Sequence, residues 1–426
     1  MKIMIYLHYY KRKWVLFLEE QTNGKLNKKN IIRALRIALI LAVLLGGIGW
    51  IQHVRVRSFK GYEKKSVTEL YTNLAGYTAG QKKLFVYGND GAKAIKADGE
   101  MAWEISYQLD NPELCFCEEV AAVADIGGTA VYVVAENGIP YNYQVLYPIV
   151  RHEVARQGVT AVLLDNGMED FIQLYDINGS LRVDINTKTK VDGVPIDIAL
   201  SQDGKKLVTL YVTFQGDAMI CKATFYNADE VGKNHINNIV GQKIFDENIL
   251  AYDVQFLNED TLCVLLENGF ALYRMTEIPE LICEKVIEQT VTELICVDNG
   301  LYVVKETEDK QKTMSFYNTK GEEKQVWKQI PEYEAISATS EEVVFFSPQK
   351  VTIYRENGSQ KFSTAFEQSL EAVIPAGGNR YFLVDTGTVE TIQLTNKVKN
   401  KEQTEEKSSA RISGRAFCSA KQGGLK

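Results

Sequence analysis

From residue 58 onward, hydrophobic positions fall in short β-branched and aromatic runs broken by Gly, Asn and Asp. Runs of this length and composition predict strands, and no amphipathic helix longer than two turns is legible. Two kinds of turn recur. The first follows an apolar run: 84–87 leads into Asn89-Asp90-Gly91, 131–134 into Glu136-Asn137-Gly138, 161–164 into Asp165-Asn166-Gly167, 262–266 into Glu267-Asn268-Gly269, and 381–384 into Asp385-Thr386-Gly387. Asn-Gly and Asp-Gly supply the positive φ of a two-residue hairpin. The second kind follows the next run: Leu174-Tyr175 precedes Asp176-Ile177-Asn178-Gly179, Phe316-Tyr317 precedes Asn318-Thr319-Lys320-Gly321, and Ile353-Tyr354 precedes Arg355-Glu356-Asn357-Gly358. Ala94-Ile95 leads to Asp98-Gly99, while Phe225-Tyr226 and Leu272-Tyr273 hold the same place without the Gly.

These markers fall at 95, about 143, 175, 226, 273, 317, 354 and 392, a mean step of about 42 residues. A period of that length with four strands per unit predicts a β-propeller. Each unit is apolar on both faces and buries them only against like neighbours, so the ring must close. No fourth strand follows position 392, and 54–68 is an unassigned extended segment, so this N-terminal strand is expected to complete the last blade. The expected fold is all-β: a propeller of about eight four-stranded blades over residues 55–395. Seven is the alternative, because the second unit, about 119–148, is short.

Ahead of the repeats, 37–51 reads IALILAVLLGGIGWI, without a charge. Between Arg36 and Arg55 the one ionisable side chain is His53. A helix crossing hydrocarbon needs about 20 residues, and flanking Arg side chains can snorkel. No small-residue cleavage site follows Ile51, so the segment reads as an uncleaved transmembrane helix over 31–54 rather than a signal peptide. Flanking basic residues tie at five against five, and Lys2, Lys11, Arg12 and Lys13 tip the N-terminus inside. The expected location is the cell membrane, single-pass, with residues 1–30 a cytoplasmic basic tail and the propeller extracytoplasmic.

Charge divides the same way. Residues 1–58 carry +9 and residues 396–426 carry +5; with −7 on the whole chain, the body between them carries −21. The polar basic tail, 396–426, is expected to be disordered. The acidic body excludes nucleic acid as a partner, since phosphates need a positive footprint.

The stretch Ile196-Asp197-Ile198-Ala199-Leu200-Ser201-Gln202-Asp203-Gly204-Lys205-Lys206-Leu207-Val208 resembles the inner hairpin of WD40-like propellers. The Tyr-x-x-x-Gly strand followed by Trp103 or Trp327 resembles quinoprotein-type repeats, which share a Gly-to-Trp last strand. A short basic tail, one span and a divergent propeller over residues 30–395 are together similar to a family of membrane-anchored propeller proteins of Gram-positive bacteria, a domain of unknown function. That resemblance implies fold and anchoring; its motifs specify no ligand.

Chemistry is sparse. Gly-x-Ser-x-Gly, P-loop and His-Glu-x-x-His patterns are missing from the sequence. His152-Glu153 is a candidate acid–base pair, but reads as a strand-edge dipeptide. Cys115-Phe116-Cys117 puts two thiols on one face of a strand without a second ligand pair. Cys221, Cys263, Cys283 and Cys296 read as small core residues. Asp165, Glu169 and Asp170 bracket Gly167 without calcium-loop spacing, as in a solvated turn. No catalytic, cofactor-binding or metal-binding residue is assigned. The expected function is non-enzymatic: a binding or scaffold module of the cell envelope, presenting its face or rim loops, above all 229–248, to a protein or glycan. A propeller enzyme (quinone-dependent dehydrogenase, lyase or hydrolase) and a transmembrane sensor are the alternatives.

Overall fold

Strands that carry apolar side chains on both sides need cover on both sides. The computed structural model supplies it by standing four-stranded antiparallel sheets side by side. It describes residues 37, 57–70, 74–80, 82–366 and 369–397. The chain divides into two units, Met1–Arg57 and Ser58–Lys426. The expected span, 31–54, lies outside the described residues apart from Ile37, as do the tail 1–30 and residues 398–426. Among the described residues no helix is long and apolar enough to cross a membrane.

Seven sheets occupy 74–106, 112–144, 149–187, 194–244, 251–286, 290–327 and 335–365, each with its strands in chain order. The eighth takes Ala372–Pro375, Arg380–Asp385 and Thr388–Thr395, then Gly61–Glu69 as its outermost strand. The propeller therefore has eight blades, and the N-terminal strand closes the ring. Its register runs from Gly61 opposite Thr395 to Glu69 opposite Thr388. Tyr62 packs 5.7 Å from Phe366, and Lys64 pairs with Glu390 at 2.7 Å.

The hydrophobic core is split among the seams. One cluster joins Phe85 and Trp103 of blade 1 to Leu114 and Val123 of blade 2; another joins Leu210 and Phe225 of blade 4 to Val254 and Tyr273 of blade 5. The eighth seam, Phe382 and Val384 against Leu84 and Val86, shuts the circle. Burying each such side chain contributes about 1.5–3 kcal/mol, and neither neighbour can do it alone. Residues that open second strands add polar ties across seams. Lys83 meets Glu119, Lys206 meets Asp260 at 3.1 Å, and Glu342 meets Tyr381 at 2.8 Å.

The first kind of turn has a mixed outcome: Gly167 carries the expected positive φ (83°), while two other turns depart from it. Between second and third strands, Gly88 pairs with Gly91 and Leu266 with Gly269, leaving two-residue turns at Asn89-Asp90 and Glu267-Asn268. None of these four turn residues has positive φ. Gly91 and Gly269 instead open the third strand, where a Cβ would collide with the carbonyls of Ile105 and Lys285. Close approach of the fourth strand requires Gly at both positions, and at Gly269 a φ of 157° adds to it.

Positive φ recurs at the third-to-fourth turn, at Gly99 (89°), Gly138 (78°), Gly179 (81°), Gly321 (71°) and Gly358 (81°), as well as at Gly127 (83°), Gly167 (83°) and Gly216 (65°) between second and third strands. Each of the five third-to-fourth glycines also lies on the fourth strand of the preceding blade, against Ser66, Trp103, Tyr143, Cys283 and Gln325 respectively. The Gly-to-Trp pattern at Trp103 is thus one blade's strand packed under the next blade's turn. Glu136-Asn137-Gly138 belongs to this second kind of turn rather than the first. The marker of blade 2 is accordingly Val134; Tyr143 sits on its fourth strand, Pro140–Gln144, and imitates the period because it lies under Gly179.

First-to-second and third-to-fourth connections share one face; second-to-third hairpins and blade-to-blade links share the other. The chain enters and leaves the propeller on the first face, where the Lys60 amide donates to the Thr395 carbonyl at 3.1 Å. Blade 4 alone has ten-residue second and third strands, Lys206–Gln215 and Ala218–Asn227, against five to eight residues elsewhere.

Candidate functional site

The first strand of every blade contributes to the wall of one central cavity of about 990 Å³. Among the described residues eight carboxyl side chains and one lysine, Lys82, line it; one of the eight, Glu342, is ion-paired with the buried Lys361. Glu153, Asp197 and Asp253 stand on the first strands of blades 3, 4 and 5. Asp197 and Asp253 each follow a register shift, between Pro195 and Asp197 and between Ala251 and Asp253. Such bulges re-aim the next side chain. Asp197 Oδ2 accepts the Val254 amide at 2.9 Å, capping an inner edge that has no strand partner. Gln255 Nε2 donates to Asp253 Oδ2 at 2.7 Å, and the Arg151 guanidinium lies 4.0 Å from Asp197.

Burial pushes the Glu153 carboxyl up to about 8, helped by Asp197, Asp253 and Glu113. Burial and then the neighbouring Asp253 raise Asp197 to about 7. Near neutral pH this wall holds protons that solvated carboxyls have lost, and a cation entering it would displace them. At the mouth formed by first-to-second loops, Arg156 reaches Glu259 of blade 5 at 3.1 Å and Glu118 of blade 2 at 3.8 Å. Its amide donates to Gln202 of blade 4 at 3.1 Å, so one residue ties loops of four blades.

The candidates from sequence separate. His152 and Glu153 point to opposite sides of their strand. His152 is buried in the seam, 3.4 Å from the Ala122 carbonyl and lowered by burial to about 4, while Glu153 lines the channel. They are not an acid–base pair. Burial raises the thiols of Cys115 and Cys117, and Cys221 and Cys263 are fully buried. Asp165 and Asn166 accept amides of their own turn, as a solvated turn requires. Among the described residues no group of three His, Cys, Asp or Glu side chains could hold a metal ion. The predicted insertion, 229–248, is shorter than expected: two 3₁₀ turns, Gly232–Asn234 and Ile236–Asn238, precede the fourth strand Ile239–Ile244.

Sequence reasoning missed the carboxylate cluster. Asp197 lies inside the WD40-like hairpin, and Asp253 holds the same place one repeat later. The available signal was Ile196-Asp197-Ile198 repeated one unit later as Tyr252-Asp253-Val254.

Fold and channel define a closed, eight-bladed β-propeller with an acidic axis. In sequence, residues 55–394 match the model of a family of unknown function, DUF5711, and the chain belongs to that family. No curated protein matches the chain in sequence. Among solved structures, BamB from Moraxella catarrhalis is 13% identical, with a TM-score of 0.48 over 78% of this chain and 100% of that one. The computationally designed Ika8 protein is 13% identical, with a TM-score of 0.49 over 80% and 99%. Sqt1 from Saccharomyces cerevisiae is 11% identical, with a TM-score of 0.49 over 80% and 100%. These are likenesses of fold alone.

Proposed function

We propose that this chain is a membrane-anchored, extracytoplasmic propeller that acts as a non-enzymatic binding or scaffold module for a protein partner. The observation that carries the reading is the acidic lining of the channel, where among the described residues seven carboxyl side chains besides the Lys361-paired Glu342 stand with one lysine, within a body of net charge −21. A concave wall of one sign raises the local concentration of opposite charge and speeds its association. The membrane part rests on the uncharged run 37–51 with its flanking arginines. The test is photo-cross-linking in cells from single positions on both faces, with protease applied to intact cells to read topology. A reproducible protein adduct on either face, with the propeller digested from outside, is the expected result. Absence of any adduct, or a propeller protected until lysis, overturns the corresponding half.

One observation favours a second reading, a propeller hydrolase or lyase. Two carboxyls titrating near neutrality inside a cavity are what acid–base chemistry needs. Turnover of a glycan or peptide that is lost in Glu153→Gln would replace the binding reading with this one.

A further inference from the structure

On the face opposite the chain's entry, the long hairpin of blade 4 projects past the first and fourth strands of its own blade. Its first strand, Val194–Leu200, stops pairing at Val212, and its fourth, Ile239–Ile244, stops at Lys222. The rungs Phe214–Met219 and Gln215–Ala218 project past both. Val212 and Met219 pack on the core shared with blade 5, and Phe214, directly opposite Met219, continues that flank outward at 68% exposure. Ile249 and Leu250 of the link to blade 5 form the floor, tied to the hairpin where the Asn248 amide donates to the Met219 carbonyl at 2.8 Å. An exposed Phe on a projecting hairpin above half-buried aliphatic residues is an uncovered apolar shelf.

Charge says what covers it. Asp217 at the hairpin tip, Asp246 and Glu247 on the link and Glu267 on the next hairpin are all exposed around the shelf. Segments 212–219, 244–253 and 267–268 contain no Lys or Arg. Lys222 and Lys243 of the same blade are engaged, with Asp192 at 3.9 Å and with Glu284 at 2.8 Å. The inner end of the link runs directly into the strand that carries Asp253 at the channel wall.

We propose that this shelf is the docking site for a cationic, amphipathic peptide segment of a partner protein. The segment's apolar side chains cover Phe214 and the aliphatic floor, and its Lys or Arg side chains meet Asp217, Asp246 and Glu247. The proposal rests on the binding-module reading and gives it a place and a partner chemistry.

The probe is a short synthetic peptide alternating leucine and lysine, titrated against the full-length chain in neutral detergent, with empty micelles as blank. Two companion peptides alternate serine with lysine and leucine with glutamate. The leucine–lysine peptide should bind at least tenfold tighter than either. Phe214→Ser should weaken it about tenfold, and the pair Asp246→Lys and Glu247→Lys at least as much, with a shallower salt dependence. Both changes are at exposed positions, and unchanged melting confirms the fold. Ile236→Ser, on the opposite face, should leave binding unaltered. Equal binding of the serine–lysine and leucine–lysine peptides, or indifference to Phe214→Ser, overturns the shelf. Cellular adducts mapping only to the entry face would also overturn it while leaving the binding-module reading intact.

Discussion

The Tyr381 hydroxyl of blade 8 donates to both carboxylate oxygens of Glu342 in blade 7, at 2.9 and 2.8 Å. Lys361 completes the buried group by donating to Glu342 and to the Gly378 carbonyl. Glu342→Gln leaves a buried ammonium without its counter-charge and should cost about 3–5 kcal/mol, whereas Tyr381→Phe should cost about 1–2. Replacing Glu342 and Lys361 together by Leu and Met should recover most of the loss. Urea midpoints of the three variants check this. A Gln variant as stable as the parent would show that the pair does not hold this seam.

Ring closure makes the two ends of the propeller unequal. Deleting 58–69 removes the strand that pairs Gly61 to Glu69 with Thr395 to Thr388, whereas deleting 398–426 leaves every described strand pair in place. The first deletion should lower the melting temperature far more than the second. Gly99→Ala, which drives a Cβ into Ser66 of the closing strand at a positive φ, should destabilise in the same direction by about 1–3 kcal/mol. Equal melting of the two deletions would remove the closure role.

Stability should peak in mildly acidic solution. Glu153 and Asp197 keep their protons to about 8 and about 7, above the range of unfolded carboxyls. The folded chain then binds more protons than the unfolded chain, and stability falls as pH rises through that window. His152 acts in the opposite sense: neutral down to about 4 when folded, it costs stability as pH falls below its ordinary 6.5. The decline above about pH 6.5 belongs to the channel carboxyls, and Glu153→Gln should flatten it. Denaturant midpoints across pH 5–9 read this out; a profile still rising at pH 8 contradicts it.

Partner association should weaken with salt, because exposed charges are screened beyond about 8 Å at physiological ionic strength. Cross-linking yields in low and high salt measure it, and yields unaffected by salt would assign binding to apolar contacts alone.

Blade number and closure were legible because each repeat writes its strands locally, as an apolar run, a Gly-bearing turn and a Tyr or Ile at the third strand's end. Blade 2 hides its register in the sequence for an equally local reason. Its second-to-third turn, 126–129, lacks Asn-Gly, while its third-to-fourth turn carries Asn137-Gly138. The channel was not legible. Glu153, Asp197 and Asp253 belong to three successive repeats, and only the ring's curvature brings them to one wall. The overhang of blade 4 was hidden too, since ten-residue strands differ from six-residue ones by a few alternations that no turn marks.

Closure by the first strand also sets a schedule for synthesis. Lys64 and Glu390, joined by an ion pair, stand 326 positions apart. At about 5–20 residues per second, the oldest strand of the ring waits roughly a quarter of a minute to a minute for its neighbour to be made. Throughout that wait its edge is open to wrong partners. Glu63, Lys64, Lys65 and Glu69 stud it with charge, the usual protection of an open edge, until Thr388–Thr395 arrives.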